Sequence, residues 1–471
     1  MLRSSFVVSL LWFVVGWLSA LVVAPAQGWV DRTGPNGPAA RSGHAMCYDP
    51  VRGYVLMVGQ HANSSGSGYQ ANTWSWDGAT WTARGGAPAG SCTPTHYAMV
   101  THAATGEVFL MVDACNGSTS SIYRWNGTSW ANVASGLSSY SGYRHRFAMG
   151  CDPVRNQSVV FTLDDPSRVS VYDGVAWSNR FVTSVPNPSN SPYDAVSMAF
   201  DPSVGKLVLV IATSTNPNSQ YGPFTVRFYE WNGFGWNQRL PLTLPPGGLA
   251  AMSTDTMRNR VVAVDGDSLS TLPNHTWSYS NGVMTQLVTP VEPSLRYSTA
   301  MAYDPVRGVH VLFGGNNNPG STNPLGDTWE LDLGPLAAFT PYGTGCTGSR
   351  GVPQLVAQTN SLPRIGQTFT TRTSNLPWTG PALMLLGVSD TNYSGTPLPV
   401  DLSMLNAPGC FLRTSIEDVQ PLQNVLGTAT WSFVIPPVPG ATFYLQTVPF
   451  DPVANPLGLT FSNGGRAVVG L

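Results

Sequence analysis

The chain has 471 residues, a formal net charge of −2 and only 10% charged residues. A surface without a basic excess cannot neutralise a phosphate backbone, so nucleic acid is excluded as a partner. The 49 glycines and 39 prolines, with no long helical periodicity, indicate short strands joined by turns: an all-β protein, long enough for two or three domains.

The N-terminus has the form of a secretory signal. Arg3 precedes an almost wholly apolar run at residues 6–23, and Ala24-Pro25-Ala26 supplies a small-residue cleavage site. Residues 1–26 are therefore expected to be removed, leaving Gln27 as the mature end. The rival reading is an uncleaved anchor, since the run just reaches spanning length. Trp29, assigned below to a strand, would leave such an anchor almost no tether, so cleavage is preferred. No other segment is apolar enough to span a membrane as a helix. The expected location is secreted or cell-surface, with no stable membrane span after cleavage.

A repeat then begins. Met46, Met99, Met149, Met198, Met252 and Met301 each sit in a short apolar strand, separated by 53, 50, 49, 54 and 49 residues. Four of the six strands run into Asp-Pro turns: Asp49-Pro50, Asp152-Pro153, Asp201-Pro202 and Asp304-Pro305. Asp bonds back into such a turn, Pro presets φ, and the Gly or Asn that follows takes the left-handed position. Further on come Asp77-Gly78, Asn126-Gly127, Asp173-Gly174 and Asn232-Gly233, each followed three residues after its glycine by Trp81, Trp130, Trp177 or Trp236. Asn281-Gly282 leads to Thr285 instead. These pairs suit two-residue type I′ turns, in which both residues need φ > 0.

Each unit thus reads as four strands in two hairpins. A period near fifty with four strands per unit predicts a propeller blade, and six methionines predict six blades. The sixth unit lacks its last strand after Leu331. Trp29 precedes Met46 by 17 residues, as Trp81 precedes Met99 by 18, so Trp29-Val30 is predicted to supply the missing strand and close the ring. The stretch SWDGATW, residues 75–81, is similar to the Asp-box turn of sialidases with one residue missing. Its recurrence makes it the turn between third and fourth strands.

Residues 27–336 resemble the kelch and galactose-oxidase-type propeller family. The resemblance rests on Arg296, on Gly314-Gly315 ending a second strand, and on Asp327-Thr328-Trp329 in a third. Only the sixth unit keeps the Gly-Gly pair. After Pro335 the repeat stops, and strand candidates at residues 368–372, 382–386, 428–435 and 442–446 predict a compact β-sandwich over 337–471. This segment resembles a C-terminal module of secreted planctomycete proteins. That resemblance rests on residues 342–346, Leu398-Pro399 with Asp401-Leu402, Gly409-Cys410, residues 443–446 and residues 461–464. It implies an exported bacterial protein and assigns no activity.

Six cysteines in an exported chain favour disulfides over metal ligands. Cys92 and Cys115 flank the open end of one hairpin and are expected to pair. Cys346 and Cys410, the only two in the second domain, are expected to pair as well. Cys47 and Cys151, in non-adjacent blades, are expected to be free and buried. The seven histidines form no H-x-H, H-x-x-x-H or HExxH, and the two-histidine, two-tyrosine and cysteine set of a copper oxidase is not found, so no metal or cofactor is expected.

Arg41, Arg144 and Arg296 each lie five residues before a strand methionine, with Arg146 close by. The second strands end beside them, at Asp113, Asp164, Asp165 and Asp265. One end of the ring therefore collects arginines and aspartates, either as salt bridges between blades or as a ligand mouth in which arginine forks suit carboxylates of acidic glycans or acidic peptide segments. The candidate binding residues are Arg41, Arg144, Arg146, Arg296, Asp113, Asp164 and Asp265; no catalytic residue is assigned. The expectation is an exported, non-enzymatic protein that presents this face to a protein or glycan ligand. The alternative is a glycan-processing enzyme using the same mouth, sialidase-like or, less favoured, a copper oxidase.

Overall fold

The computed structural model describes residues 28–62, 69–89, 96–112, 120–137, 147–186, 195–214, 224–239, 248–266, 275–317, 323–436 and 438–470. The chain divides into two compact units, one spanning 28–332 and one beginning at Leu333. Both are all-β; among the described residues the one helical turn is Ser403–Leu405.

In the first unit the described residues form six antiparallel four-stranded sheets. Sheet one is Ala45–Asp49, Tyr54–Ala62, Tyr69–Trp76 and Trp81–Gly86, paired in that order. Sheets two to five repeat the pattern from Tyr97, Phe147, Ala195 and Gly248. Sheet six takes Ala300–Asp304, Val309–Asn316 and Pro324–Asp332, and its fourth strand is Gly28–Asp31, with Trp29 opposite Leu331. The first strand of each sheet lies beside the first strand of the next, and Ala300–Asp304 lies beside Ala45–Asp49, so the succession closes into a propeller-like ring.

Why the second strands read as unbroken apolar runs is now clear. Alternate side chains point to opposite faces, and both faces are covered. Val55 and Met57 pack with Val311 and Phe313 of sheet six. Leu56 and Val58 pack with Met99 and Leu110 of sheet two. The core is a set of such layers between neighbouring sheets, with fourth-strand tryptophans pinned across them. Trp81 Nε1 donates to Thr328 Oγ1 at 2.9 Å, Trp130 Nε1 to Thr73 Oγ1 at 3.0 Å and Trp29 Nε1 to Thr276 Oγ1 at 2.7 Å. Each bond runs from a fourth strand to the third strand of the preceding sheet. The Gly28–Asp31 strand therefore holds the same place as those of sheets one and two.

The Asp-Pro turns form as expected. Asp49 Oδ1 accepts the N–H groups of Val51 and Arg52 while Oδ2 holds Arg52 Nη1 at 2.8 Å. Gly53, Asn156, Gly205 and Gly308 take positive φ. Sheet five builds the same turn without proline: Asp255 bonds Arg258, and Asn259 takes φ 52°. The Asp-Gly and Asn-Gly turns differ from expectation. Trp76 pairs directly with Trp81, and Trp125 with Trp130, leaving four residues in each loop rather than two. Asp77 Oδ1 accepts from both Ala79 N and Thr80 N at 2.8 Å, so the side chain organises a wider loop with only Gly78 at positive φ. The paired indoles, 5.4 Å apart at Trp76–Trp81, close its base. Only Asn281-Gly282, where no tryptophan follows, is a two-residue turn with both φ positive.

In the second unit, a five-stranded sheet includes Ala382–Gly387 and Thr442–Pro449, and a four-stranded one includes Thr368–Ser374 and Thr428–Val434. Leu355, Phe369 and Ala429 of the smaller sheet share one core with Met384, Leu445 and Ala467 of the larger. Cys346 and Cys410 form a disulfide among Leu385, Leu402, Val448 and Phe461. The residues carrying the module resemblance are structural here: Gln446 bonds Arg413, Phe411 and Ser462, and Asn463 clasps both backbone groups of Leu355. Cys47 is free and buried. Cys151 is free but only half-buried, one residue before the end of its strand, where its sulfur accepts the Ala103 N–H. Cys92 and Cys115 lie outside the described residues.

Candidate functional site

Within the ring unit the two ends are built differently. At one end sit the Asp-Pro turns and the four-residue Asp/Asn-Gly loops. Their arginines reach the neighbouring sheet: a Cβ on Gly127 would lie 2.5 Å from Arg52 Nε, and one on Gly78 2.8 Å from Arg307. At the other end the connections from second to third strand vary from five residues in sheet three (163–167) to nine in sheet four (215–223). Of the candidate residues, Arg41, Asp164, Asp265 and Arg296 lie at this second end. Arg144, Arg146 and Asp113 fall outside the described residues. Asp164 is half-buried just beyond Gln157–Thr162.

Arg296 is fully buried and fully used. Its Nε donates to Ser294 O, its Nη1 to Gly314 O at 3.0 Å and Asp327 Oδ1 at 2.9 Å, and its Nη2 to Asp327 Oδ2 at 2.8 Å and Ser294 Oγ at 3.2 Å. This two-pronged ion pair ties the approach to the first strand of sheet six onto its second and third strands. Asp327 is pressed up by burial, but the bonds and charge of Arg296 outweigh that and hold it below the usual carboxylate range.

Arg41 occupies the matching place in sheet one, with a difference. Its Nε donates to Ala39 O, and its Nη1 to Gly59 O at 3.1 Å and Asn72 Oδ1 at 2.6 Å. Among the described residues its Nη2 has no acceptor, although the side chain is buried. Burial without an acid partner lowers its pKa to about 10. The two arginines meet at the Gly314-Gly315 pair: Arg41 O accepts the Gly315 N–H at 2.9 Å, while Arg296 bonds Gly314 O. A Cβ on Gly314 would fall 2.6 Å from Arg41 O, which is why glycine stands there. Each guanidinium serves its own sheet, and the two share no side-chain partner.

In sheet five His275 stands where Asn72 and Asp327 stand, and the carboxylate has moved to the second strand as Asp265. Asp265 accepts from His275 N at 2.7 Å and Trp277 Nε1 at 3.0 Å, with His275 Nδ1 at 3.3 Å. Burial pushes its carboxyl up. Glu292 is also pushed up by burial; it holds Thr276, the threonine that receives Trp29. Among the described residues no three His, Cys, Asp or Glu side chains gather closely enough to hold a metal ion.

Sequence reasoning missed the polar partner of each arginine. The signal was present: Asn72-Thr73-Trp74, His275-Thr276-Trp277 and Asp327-Thr328-Trp329 align, and Asn72 and Asp327 each follow an arginine by 31 residues.

No known protein family matches the chain, and no curated protein matches it in sequence. Among solved structures it is similar to an α-L-arabinanase of Penicillium chrysogenum complexed with arabinobiose, at 12% identity and TM-score 0.45, over 64% of this chain and 97% of that one. It is similar to the SapL1 lectin in complex with α-methyl fucoside, at 10% and 0.38, over 59% and 89%. A fructofuranosidase from Schwanniomyces occidentalis complexed with fructose matches at 10% and 0.34, over 95% and 96%. None of the three reaches a TM-score of 0.5, so these likenesses assign neither fold nor ligand to this chain.

Proposed function

We propose that the six sheets are the blades of a kelch-like propeller over 27–336, closed by the Trp29 strand and followed by a β-sandwich over 337–471. The chain is exported after removal of residues 1–26, and it binds a protein or glycan ligand at the end of the ring that carries Arg41, Arg296 and Asp265. The observation that carries this reading is the asymmetry of the two ends. One end is made of short turns, four of them tied down by an arginine on the turn aspartate; the other presents longer connections of varied length on a fixed frame, the arrangement by which scaffolds carry binding sites. A glycan array and a protein pull-down with the purified mature protein test it, with a glycan-hydrolysis screen in parallel. Retention of a ligand without turnover supports the binding reading.

A second reading, a glycan-processing hydrolase, draws on one observation. Asp265 and Glu292 both have carboxyls raised by burial and lie within electrostatic range of each other and of His275. Raised carboxyls are what acid catalysis at a glycosidic bond requires. Turnover of a glycan that Asp265→Asn or Glu292→Gln abolishes would establish it.

A further inference from the structure

Sheets one and six carry the same arginine in the same frame, so one serves as the internal control for the other. Arg41 and Arg296 use Nε and Nη1 identically, on a carbonyl two residues back, a carbonyl 18 residues on, and a side-chain oxygen 31 residues on. They differ only at Nη2. In sheet six Nη2 has two acceptors, Asp327 Oδ2 and Ser294 Oγ. In sheet one both are gone: the aspartate is Asn72, and the serine is Ala39. Asn72 keeps the oxygen that Nη1 needs and puts an NH2 where the second carboxylate oxygen was. That NH2 lies 3.4 Å from His61 Nδ1. Among the described residues, a guanidinium held at 1% exposure therefore has neither a carboxylate partner nor an acceptor for one nitrogen, a costly arrangement unless something else supplies them.

We infer that Arg41 Nη2 and the Asn72 amide form a receptor for a single carboxylate of an external ligand, an acidic sugar of the uronate type. This rests on the ring end assigned above as the ligand face and names the chemistry it takes. Nη2 itself is buried, but the residues at the positions of the two missing acceptors reach the surface: Ala39 is exposed and Asn72, like His61 beside it, is half-buried. Arginine accepts a carboxylate through two parallel N–H groups, and here one prong is already turned to Asn72 Oδ1, leaving the other with the amide to receive an oxygen. The half-buried indole of Trp74, whose N–H bonds the same Asn72 oxygen at 3.0 Å, offers a ring for a pyranose beside the carboxylate. Arg296, already paired with Asp327, takes no part.

The test titrates the mature protein with sodium glucuronate, with glucose as the neutral control and N-acetylglutamate as the peptide-like one, by calorimetry and thermal shift. Wild type should bind glucuronate saturably and be stabilised by it, and glucose should do neither. Asn72→Asp places an internal carboxylate against Nη2, as Asp327 does. It should weaken glucuronate binding at least about tenfold and raise the thermal midpoint of the unliganded protein. Ala39→Ser with Asn72→Asp, which rebuilds the sheet-six set, should do so more strongly. Absence of saturable glucuronate binding at tens of millimolar, or equal binding by wild type and Asn72→Asp, overturns the inference. Saturable binding of N-acetylglutamate alone overturns the sugar as occupant. A neutral glycan or protein ligand that holds both forms equally removes Arg41 while leaving the ligand face standing; loss of every ligand from this end removes the face itself.

Discussion

Trp29→Ala is the sharpest test of how the ring is held. The strand Gly28–Asp31 is separated by about three hundred residues of chain from the strand it completes, and it is only four residues long. Its hold therefore depends on one large side chain. Trp29 is 4% exposed, and its Nε1 donates to Thr276 Oγ1 of the preceding sheet at 2.7 Å. Truncating a buried tryptophan to alanine costs about 3–5 kcal/mol, and the hydrogen bond accounts for about 1 kcal/mol of that. Trp29→Phe keeps most of the apolar contact and should cost the smaller amount plus a packing term. Val175→Ala, at a site 87% exposed in another loop, should stay within about 0.5 kcal/mol of wild type. Equilibrium unfolding in urea, followed by far-UV circular dichroism, ranks the three. If Trp29→Ala loses less than about 1 kcal/mol, the strand is an ornament on sheet six rather than its closure, and the reasoning from the Trp81 and Trp130 bonds is wrong.

The remaining predictions concern turns, acid and cysteine chemistry. Gly127→Ala should destabilise by about 1–3 kcal/mol, because φ is 106° and the new Cβ would lie 2.5 Å from Arg52 Nε; Gly282→Asn, at φ 81° with nothing within 4 Å, should cost less, and equal losses in urea midpoints would show that the arginine contact is immaterial. Burial would push Asp255 up, but His310, whose Nε2 lies 3.7 Å away, and the Arg258 guanidinium at 3.0 Å overcome it and hold the carboxyl well below its usual range; since His310 is itself pushed down by burial, Arg258 is the dependable charge. A depressed acid contributes stability that is present above its unfolded pKa of about 4 and lost as pH falls through the folded value, so Asp255→Asn should flatten the acid limb between about pH 5 and pH 2.5; stability curves parallel to wild type would refute this. Burial pushes the Cys47 thiol up to about 12, so thiol reagents at mild alkaline pH should leave it unmodified in the native protein, as peptide mapping would show. Reducing Cys346–Cys410, whose sequence separation is 64, should destabilise the unit beginning at Leu333 by about 4 kcal/mol in thermal or urea unfolding.

What was legible in the sequence was whatever the repeat imposed from sheet to sheet. The strand methionines and the apolar second strands recur in all six units and the Asp-Pro turns in four, because every sheet must bury two faces and reverse the chain twice. The unpaired third strand ending near Leu331 could be matched to Trp29 because the spacing to the next methionine, 17 residues, was within one of the 18 that follow Trp81 in sheet one. The loop geometry was less legible. Asn-Gly is a good two-residue turn when the flanking residues allow it, as Ser280 and Val283 do, but a Trp–Trp pair sets the register two residues further out and the Asx side chain then fills the loop. The roles of Arg41 and Arg296 were not legible from either residue alone. An arginine before a first strand reads equally as a ligand clamp or a strap; its partners 18 and 31 residues on decide between them, and only the folded sheet brings these together.

The same comparison shows where specificity can enter such a ring. Three sheets carry an x-Thr-Trp triplet in the third strand, and in each the threonine and tryptophan keep their work: Thr73, Thr276 and Thr328 receive an indole from a neighbouring sheet, and Trp74, Trp277 and Trp329 donate to a nearby oxygen. The residue before the threonine is free to change, and it does: Asn72, His275, Asp327. Where it is aspartate, an arginine is neutralised and the corner is closed. Where it is histidine, the carboxylate reappears one strand over as Asp265. Where it is asparagine, no carboxylate among the described residues takes its place and Arg41 Nη2 is left over. The frame tolerates all three because the indole N–H needs only one oxygen, so this position can vary its charge without disturbing the layers beneath. Variation confined to a site the fold does not need is what a binding surface requires, and at Asn72 the variation leaves a buried positive charge with no carboxylate partner among the described residues.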